Sequence, residues 1–403
     1  MGLTRTTGRS VDVLTYARRT AIVGIGATEF SKDSGRTPMS MAVEACLAAC
    51  ADAGVEPSAV NGMALYSMEK NYEIEVARNL GIPELTFFSM VNHGGGGACS
   101  TVSMASMAVH TGAADYVLVY RAFNERSWRR FGSGVQGQHE SAEANDISFS
   151  WSSPFGLLTP AQWAGMFATR YMHQYGATSE DFGRIAVADR RHAATNPAAF
   201  FFGKPITLED HQDSRIISDP LRLLDCCQES DGGQALLITT LDRARESGRP
   251  PVVVAAAAQG VAEDQWMMRS YYRDDITGLP EMGVVARQLW ESAELGPADI
   301  QTAVLYDHFS PLVLPQFEEF GFCARGEARD FIADGNIEMG GDLPINTHGG
   351  QLGEAYIHGL NGIAEAVRQV RGTSVNQVEA VTNVLVTAGA GVPTSGLVLS
   401  TES

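Results

Sequence analysis

Two rhythms of apolar residues alternate along the chain. Residues 19–30 (RTAIVGIGATEF) form a short apolar run ending in glycines, the pattern of a strand buried on both faces. Residues 39–55 (MSMAVEACLAACADAGV) space their apolar positions three and four apart and close on Gly54, which predicts a helix with a glycine C-cap. Residues 59–68 (AVNGMALYSM) read as the next strand. Strand, helix and strand in that order predict parallel β-α-β units.

The second half repeats the pattern. Residues 250–262 read as a strand and residues 283–295 as a helix. Residues 52–67 lie over residues 292–307 without a gap, matching Ala53 to Ala293, Pro57 to Pro297, Leu65 to Leu305 and Tyr66 to Tyr306. A looser echo pairs VNHGG at 91–95 with INTHGG at 345–350. Two matches in the same order predict an internal duplication. The expected division is an extension over 1–17, a first half over 18–248 and a second over 249–403. The first half carries a long irregular insertion at about 124–218, which reads as a lid or partner surface.

Composition narrows the class. The chain has 403 residues, 44% of them hydrophobic, and a net charge of −18. Such a charge repels nucleic acid and anionic membrane faces. No run approaches the ~18 apolar residues of a membrane helix, and residues 1–20 lack the apolar core of a secretion signal. The expectation is a soluble cytoplasmic protein. The six cysteines, including the adjacent Cys226 and Cys227, form no C-x-x-C pattern and read as reduced thiols rather than metal ligands.

Chemistry concentrates at residues 91–105, VNHGGGGACSTVSMA. Cys99 is either a nucleophile at a helix start or a small buried core residue. Gly94 to Gly97 either bring backbone N–H groups up to an oxyanion or make a tight turn the fold requires. His93, beside them, is a site residue or a structural hydrogen-bonder.

Four longer motifs carry a resemblance: AIVGIGATEFS near the start, DPLRLLDCCQESDGGQALLIT at 219–239, VLYDHFSPLVLPQFEEFGFCARGEARDFI at 304–332 and LPINTHGGQLGEAYIHGLNGIAEAVRQVRG at 343–372. From about residue 18 to 403 the chain resembles the thiolase superfamily, nearest its sterol-carrier-protein branch. The resemblance implies an α/β thiolase fold of two duplicated halves. Each half is a mixed five-stranded sheet, and together they form a five-layer α-β-α-β-α sandwich that dimerises.

The motifs depart from the family where its catalytic residues stand. Alignment of VNHG puts Gly95 at the acyl-accepting cysteine, with Cys99 one helical turn further on. The family's activating histidine falls on Tyr356 in AYIHG. Its oxyanion-hole Asn or His falls on Tyr306 in LYDHFS, and its second cysteine on Thr387 in VTAGAGVP, near Gly389. His358, two residues beyond Tyr356, is expected to point elsewhere and to serve packing. Without a thiol there is no acyl-enzyme. What remains is a coenzyme A thioester pocket able to stabilise an enolate, which suits a retro-aldol reaction.

These departures are similar to one sub-branch, the thiolase-like aldolases of steroid side-chain degradation, which cleave 17-hydroxy steroid C22-CoA thioesters. That resemblance implies Tyr356 and Tyr306 as an acid/base pair in either order, with His308 tuning or relaying the proton. It implies a pocket of His93, Gly95, Gly96, Thr387, Gly389 and His348, although His348 is equally a structural residue. Arg126, Arg129 and Arg130 either hold the coenzyme A phosphates or belong to a solvated loop. The implied substrate is a coenzyme A thioester, with no metal or redox cofactor for the chemistry. The implied assembly is a homodimer core joined to a zinc-ribbon/OB-fold accessory protein, a heterotetramer. Two rivals stand: an acyltransferase using Cys99, and a non-catalytic lipid or acyl-CoA carrier.

Overall fold

The computed structural model describes residues 16–128 and 150–402. The first half opens with β1 (Thr20–Ala27), α1 (Pro38–Ala53), β2 (Gly62–Tyr66), α2 (Glu73–Leu80), β3 (Phe87–Val91), α3 (Ala98–His110) and β4 (Tyr116–Asn124). Sequence dictates the bounds of α1 at both ends. Thr37 Oγ1 accepts the Ser40 N–H at 3.2 Å and Pro38 follows it, while Gly54 closes the helix in the left-handed region at φ 68°. The same turn recurs at the matched position of the second half, where Glu294 caps its helix at φ 56°.

Within the insertion, the described residues from 150 on are largely helical. They fold into α4 (Pro160–Tyr175), α5 (Ser179–Thr195) and α6 (Leu208–Asp213), followed by the small hairpin β5 (Ile216–Ser218) and β6 (Leu221–Arg222). Capping boxes at Thr159, Thr178 and Thr207 start the three helices, a local signal that outweighs the polar composition. The chain continues through β7 (Asp231–Thr240), α7 (Leu241–Glu246), β8 (Val252–Gly260), α8 (Pro280–Ala293), β9 (Thr302–Val304), α9 (Leu314–Glu319), α10 (Ala328–Phe331), α11 (Gly350–Gly353), α12 (Leu360–Arg371), β10 (Asn383–Ala388) and β11 (Thr394–Ser400).

Among the described residues the main strands join in the order β3-β2-β4-β7-β1-β8-β11-β10-β9. The order is symmetric about the short β1–β8 junction, which pairs only Ala21 with Val253 and Ile22 with Val252. Parallel pairs β2–β3 and β2–β4 match the parallel pair β9–β10, and the antiparallel pairs match likewise. The second half lacks a full fifth strand: the counterpart of β3 is one bridge, Ala303 to Ile345. The expected five-stranded second sheet is therefore four strands and a bridge, because the backbone leaves extended geometry directly after Ile345, at Asn346 with φ 47°.

Three apolar clusters define the layers. One lies under α1, one under α8 and the insertion helices, and a central one lies between the sheet halves around α3 and α12. Tyr16, assigned by sequence to an extension, belongs to that central cluster, with its hydroxyl 2.9 Å from Ser103 Oγ. Tyr66 is fully buried there, and its hydroxyl has no hydrogen-bond partner among the described residues. Leaving a buried hydroxyl unpaired costs stability, so Tyr66→Phe should raise the unfolding free energy by about 1 kcal/mol without altering turnover. Urea titration checks the first part; an equal loss in both measurements would contradict it.

Candidate active site

The site forms where loops leave the C-terminal ends of parallel strands. His93 follows β3, Tyr306 and His308 follow β9, and Tyr356 lies on the loop between α11 and α12. Tyr306 is held by its backbone. Its N–H donates to Thr387 Oγ1 at 2.9 Å and to Gln316 Oε1 at 3.2 Å, and its carbonyl accepts from Gln316 Nε2 at 2.8 Å. Thr387 in turn donates to Gln316 Oε1 at 2.7 Å. Tyr356 donates its N–H to Ser230 Oγ at 3.2 Å.

So held, the two tyrosine hydroxyls meet at 3.2 Å. Tyr306 is buried and Tyr356 half-buried, so the pair opens outward on the Tyr356 side. Burial raises the pKa of both hydroxyls, although the bond from Tyr356 partly opposes this at Tyr306. Cys227 and Glu125 lie close enough to push both further up. Both tyrosines are therefore neutral at neutral pH.

A histidine flanks each tyrosine two residues on. The rings of Tyr306 and His308 are 5.0 Å apart, and those of Tyr356 and His358 4.7 Å. Asp307 turns the other way and accepts the Gln351 and Leu352 N–H groups, each at 3.0 Å. Burial lowers the pKa of both histidines, that of His308 to about 3, so both rings are neutral. Arg121 Nε donates to His358 Nδ1 at 3.2 Å, which sets the tautomer by leaving the proton on Nε2. The expectation that His358 points elsewhere is thus corrected. The residue takes φ 51°, and this positive φ brings the ring back against Tyr356.

Gly95 explains the absence of a thiol. A Cβ built there would lie 1.7 Å from the Tyr306 hydroxyl and 2.6 Å from Cζ of the same ring. The volume a side chain at position 95 would need is filled by Tyr306. Gly96 is closed as well: its Cβ would meet the Pro393 carbonyl at 2.0 Å, and its own carbonyl accepts from Ser395 Oγ at 2.6 Å. Gly389, at φ 83°, packs the 389–393 loop down onto Gly96. Of these three glycines only Gly95 is even partly exposed.

Other expected site residues sit elsewhere. Thr387 clamps the Tyr306 backbone rather than lining a pocket. His348 is buried, with Nε2 3.8 Å from Glu354 Oε2 and its carbonyl accepting from Asn196 Nδ2 at 3.0 Å. This polar network anchors α5 to α11, which accounts for His348 without a site role. His93 is half-buried in the left-handed region at φ 75°, and its pKa is lowered by burial. Cys99 is fully buried, 3.9 Å from the Val386 carbonyl, and burial raises its thiol pKa well above the ordinary range. Such a thiol is no nucleophile at neutral pH. Arg126 donates its N–H to Asp231 Oδ1 at 3.0 Å, while Arg129 and Arg130 lie outside the described residues. Burial and nearby Arg126 bring Lys32 down to about 8.

Sequence reasoning missed Gln316, Ser230, Cys227 and Glu125. For Glu125 a signal existed: it is the first residue beyond a parallel strand, where α/β folds place functional groups. Cys227, read as structural, donates its N–H to the His308 carbonyl at 2.9 Å and stands beside the tyrosines, but burial keeps its thiol protonated. Among the described residues no three His, Cys, Asp or Glu side chains group to hold a metal, and no helix is long and apolar enough to cross a membrane.

The layers and the loop-borne site define a thiolase fold with an altered centre. The chain belongs to the thiolase family: residues 13–242 match the thiolase N-terminal domain and residues 262–401 the thiolase C-terminal domain-like model. It is 65% identical over 382 residues to the steroid side-chain-cleaving aldolase of Thermomonospora curvata, covering 95% of this chain and 98% of that one. It is 63% identical over 379 residues to the 17-hydroxy-3-oxo-4-pregnene-20-carboxyl-CoA lyase of Mycobacterium tuberculosis, covering 94% and 98%. A solved structure described as Ltp2-ChsH2(DUF35) aldolase superposes with a TM-score of 0.92 at 64% identity, covering 96% of this chain and 98% of that one.

Proposed function

We propose that this chain is a carbon–carbon lyase that splits a β-hydroxyacyl-CoA by retro-aldol cleavage. Its substrate is a 17-hydroxy steroid C22-CoA thioester, and its products are a 17-keto steroid and propionyl-CoA. The observation that carries the reading is the hydroxyl pair, in which Tyr306 occupies the volume over Gly95 and bonds Tyr356 at 3.2 Å. The identity to the two named steroid lyases supports the substrate class.

The reaction moves one proton and breaks one bond. The tertiary hydroxyl loses its proton, the Cα–Cβ electrons pass into a thioester enolate, and Cα takes up a proton. No net charge is gained, so no standing tyrosinate is needed. One tyrosine oxygen accepts the substrate proton while its own proton passes to the other hydroxyl, whose proton goes to Cα. Either tyrosine can stand first in that line. His308 and His358, both neutral, orient the two phenols without adding charge. The scheme balances without a metal or redox group.

The assembly follows the same reading. The outermost strand β3 turns Phe88 and Met90 outward at 64% and 46% exposure, an apolar edge that a second copy would cover. An accessory protein of the DUF35 kind completes the complex, as in the solved relative. The test is incubation with a 17-hydroxy C22-steroid-CoA, with and without a co-purified OB-fold partner, followed by mass spectrometry. Propionyl-CoA and the ketone should appear together. Binding without turnover in every combination would leave a non-catalytic carrier instead.

A further inference from the structure

Arg121 is a buried cation that the relay above leaves unused, yet it bonds the histidine that touches Tyr356. Arg121 and Phe123 stand two apart on β4, so strand alternation turns both side chains to one face. Arg121 Cζ lies 4.2 Å from the centre of the Phe123 ring, and the His358 ring stacks on that same ring at 5.1 Å and 29°. His358 therefore has two ring neighbours, Phe123 and Tyr356.

The guanidinium is fixed from its other end. Its Nη1 donates to the Met68 carbonyl at 2.8 Å and lies 3.4 Å from Glu69 Oε2. Glu69 is held in turn: it accepts the Ala122 N–H at 2.9 Å and the Lys70 and Asn71 N–H groups at 2.8 Å each. A buried ion pair adds little net stability over apolar residues of the same volume, so this one calls for a role in arrangement.

The bond to His358 supplies it. A guanidinium nitrogen only donates, so His358 Nδ1, 3.2 Å from Arg121 Nε, must accept. The imidazolium carries N–H at both nitrogens and cannot meet that donor, and neither can the tautomer with its proton on Nδ1. While the contact stands, His358 is the neutral ring with its proton on Nε2. Neither nitrogen then has a lone pair for a phenol, since one bears a proton and the other is taken by Arg121. Burial, then the charges of Arg121 and His308, push its pKa in the same direction. A histidine without that lock, in ring contact with a proton-exchanging tyrosine, would compete for the proton.

We propose that Arg121 is a positioning residue of the reaction: by occupying Nδ1 it denies His358 the role of base and confines the travelling proton to Tyr306 and Tyr356. This rests on the lyase reading above. The proton accounting of the cleavage is unchanged, and Arg121 and His358 end as they began.

Nitrogen NMR of the histidine-labelled full chain with its accessory partner tests the lock directly. His358→Asn assigns the signals, because asparagine tolerates a positive φ. In the wild type Nδ1 should show the shift of an unprotonated nitrogen and Nε2 that of an N–H, both above and below the ordinary histidine pKa of about 6.5. In Arg121→Met, Glu69 keeps its N–H donors, so no carboxylate is orphaned. There His358 should populate both tautomers or titrate, with kcat about 10-fold lower and KM little changed, the scale on which partners that fix an imidazole act. Arg121→Lys, which restores a donor, should regain part of the rate. In a His358→Asn background Arg121→Met should add no further loss, since Arg121 acts through that ring. A proton on Nδ1 in the wild type, an unchanged kcat in Arg121→Met, or an equal loss with and without His358 overturns the proposal. If the wild type cleaves no steroid thioester, the lyase reading fails by itself. The nitrogen shifts then judge the lock separately, and a His358 whose tautomer is the same in Arg121→Met overturns it.

Discussion

Tyr356→Phe should lower turnover of the steroid thioester by ~10²- to 10⁴-fold, the range typical of a lost acid/base group, while the protein stays folded. Phenylalanine fills the same space, the residue-356 N–H keeps its bond to Ser230 Oγ, and the ring keeps its tilted contact with His358. Only the hydroxyl facing Tyr306 is removed. Tyr306→Phe should lose a similar factor, because either change cuts the same hydroxyl line at 3.2 Å. The double variant should be scarcely worse than the single ones, as is usual for groups that act as a unit. Single-turnover kinetics with mass-spectrometric detection of propionyl-CoA decides the matter. Wild-type turnover in Tyr356→Phe would remove the pair from the mechanism, and multiplicative losses would show two independent roles.

Gly95→Ala is expected to be as damaging as the loss of Tyr306 itself. The added methyl would sit 1.7 Å from the Tyr306 hydroxyl and 2.6 Å from Cζ. The ring cannot retreat easily, because Gln316 and Thr387 fix its backbone on both sides. Overpacking of this kind costs ~1–3 kcal/mol, and any relaxation must move the hydroxyl out of line. Cleavage should therefore fall at least 100-fold, in the range of a lost acid/base group. Combining Gly95→Ala with Tyr306→Ala should recover much of the stability and none of the activity. Gly95→Cys should likewise fail to create acyl transfer, since Tyr356 stands where an activating histidine would be needed. Denaturant unfolding and a thioester-transfer assay measure the two effects. An active, stable Gly95→Ala enzyme would show that Tyr306 does not occupy that volume.

The site was partly legible before any coordinates. Tyr306 and Tyr356 were found by where they stand relative to family motifs, and His308 with them, while their other neighbours were not. His358 looked misdirected because an i, i+2 spacing implies opposite faces only in helical backbone, and this loop is not helical. Thr387, Gly96 and Gly389 looked like pocket residues because they flank the site in sequence, yet they pack beneath it. Gln316 carries no motif at all; its meaning comes from burial and from its bonds to Tyr306 and Thr387.

The sequence by itself determined the repeated strand-helix-strand order, the helix ends at Thr37 and Gly54, the matched halves about Tyr66 and Tyr306, and the absence of a thiol at Gly95. The first three rest on local periodicity, capping chemistry or spacing, which the order of residues contains directly, and the last on the resemblance of VNHG to the thiolase motif. Only the tertiary structure decided that the Tyr306 hydroxyl fills the space over Gly95, that it meets Tyr356, and that Glu125 is buried. Those facts depend on which distant segments are pressed together when the sheet halves close over the central helices, and steric exclusion at Gly95 exists only once that closure has been made.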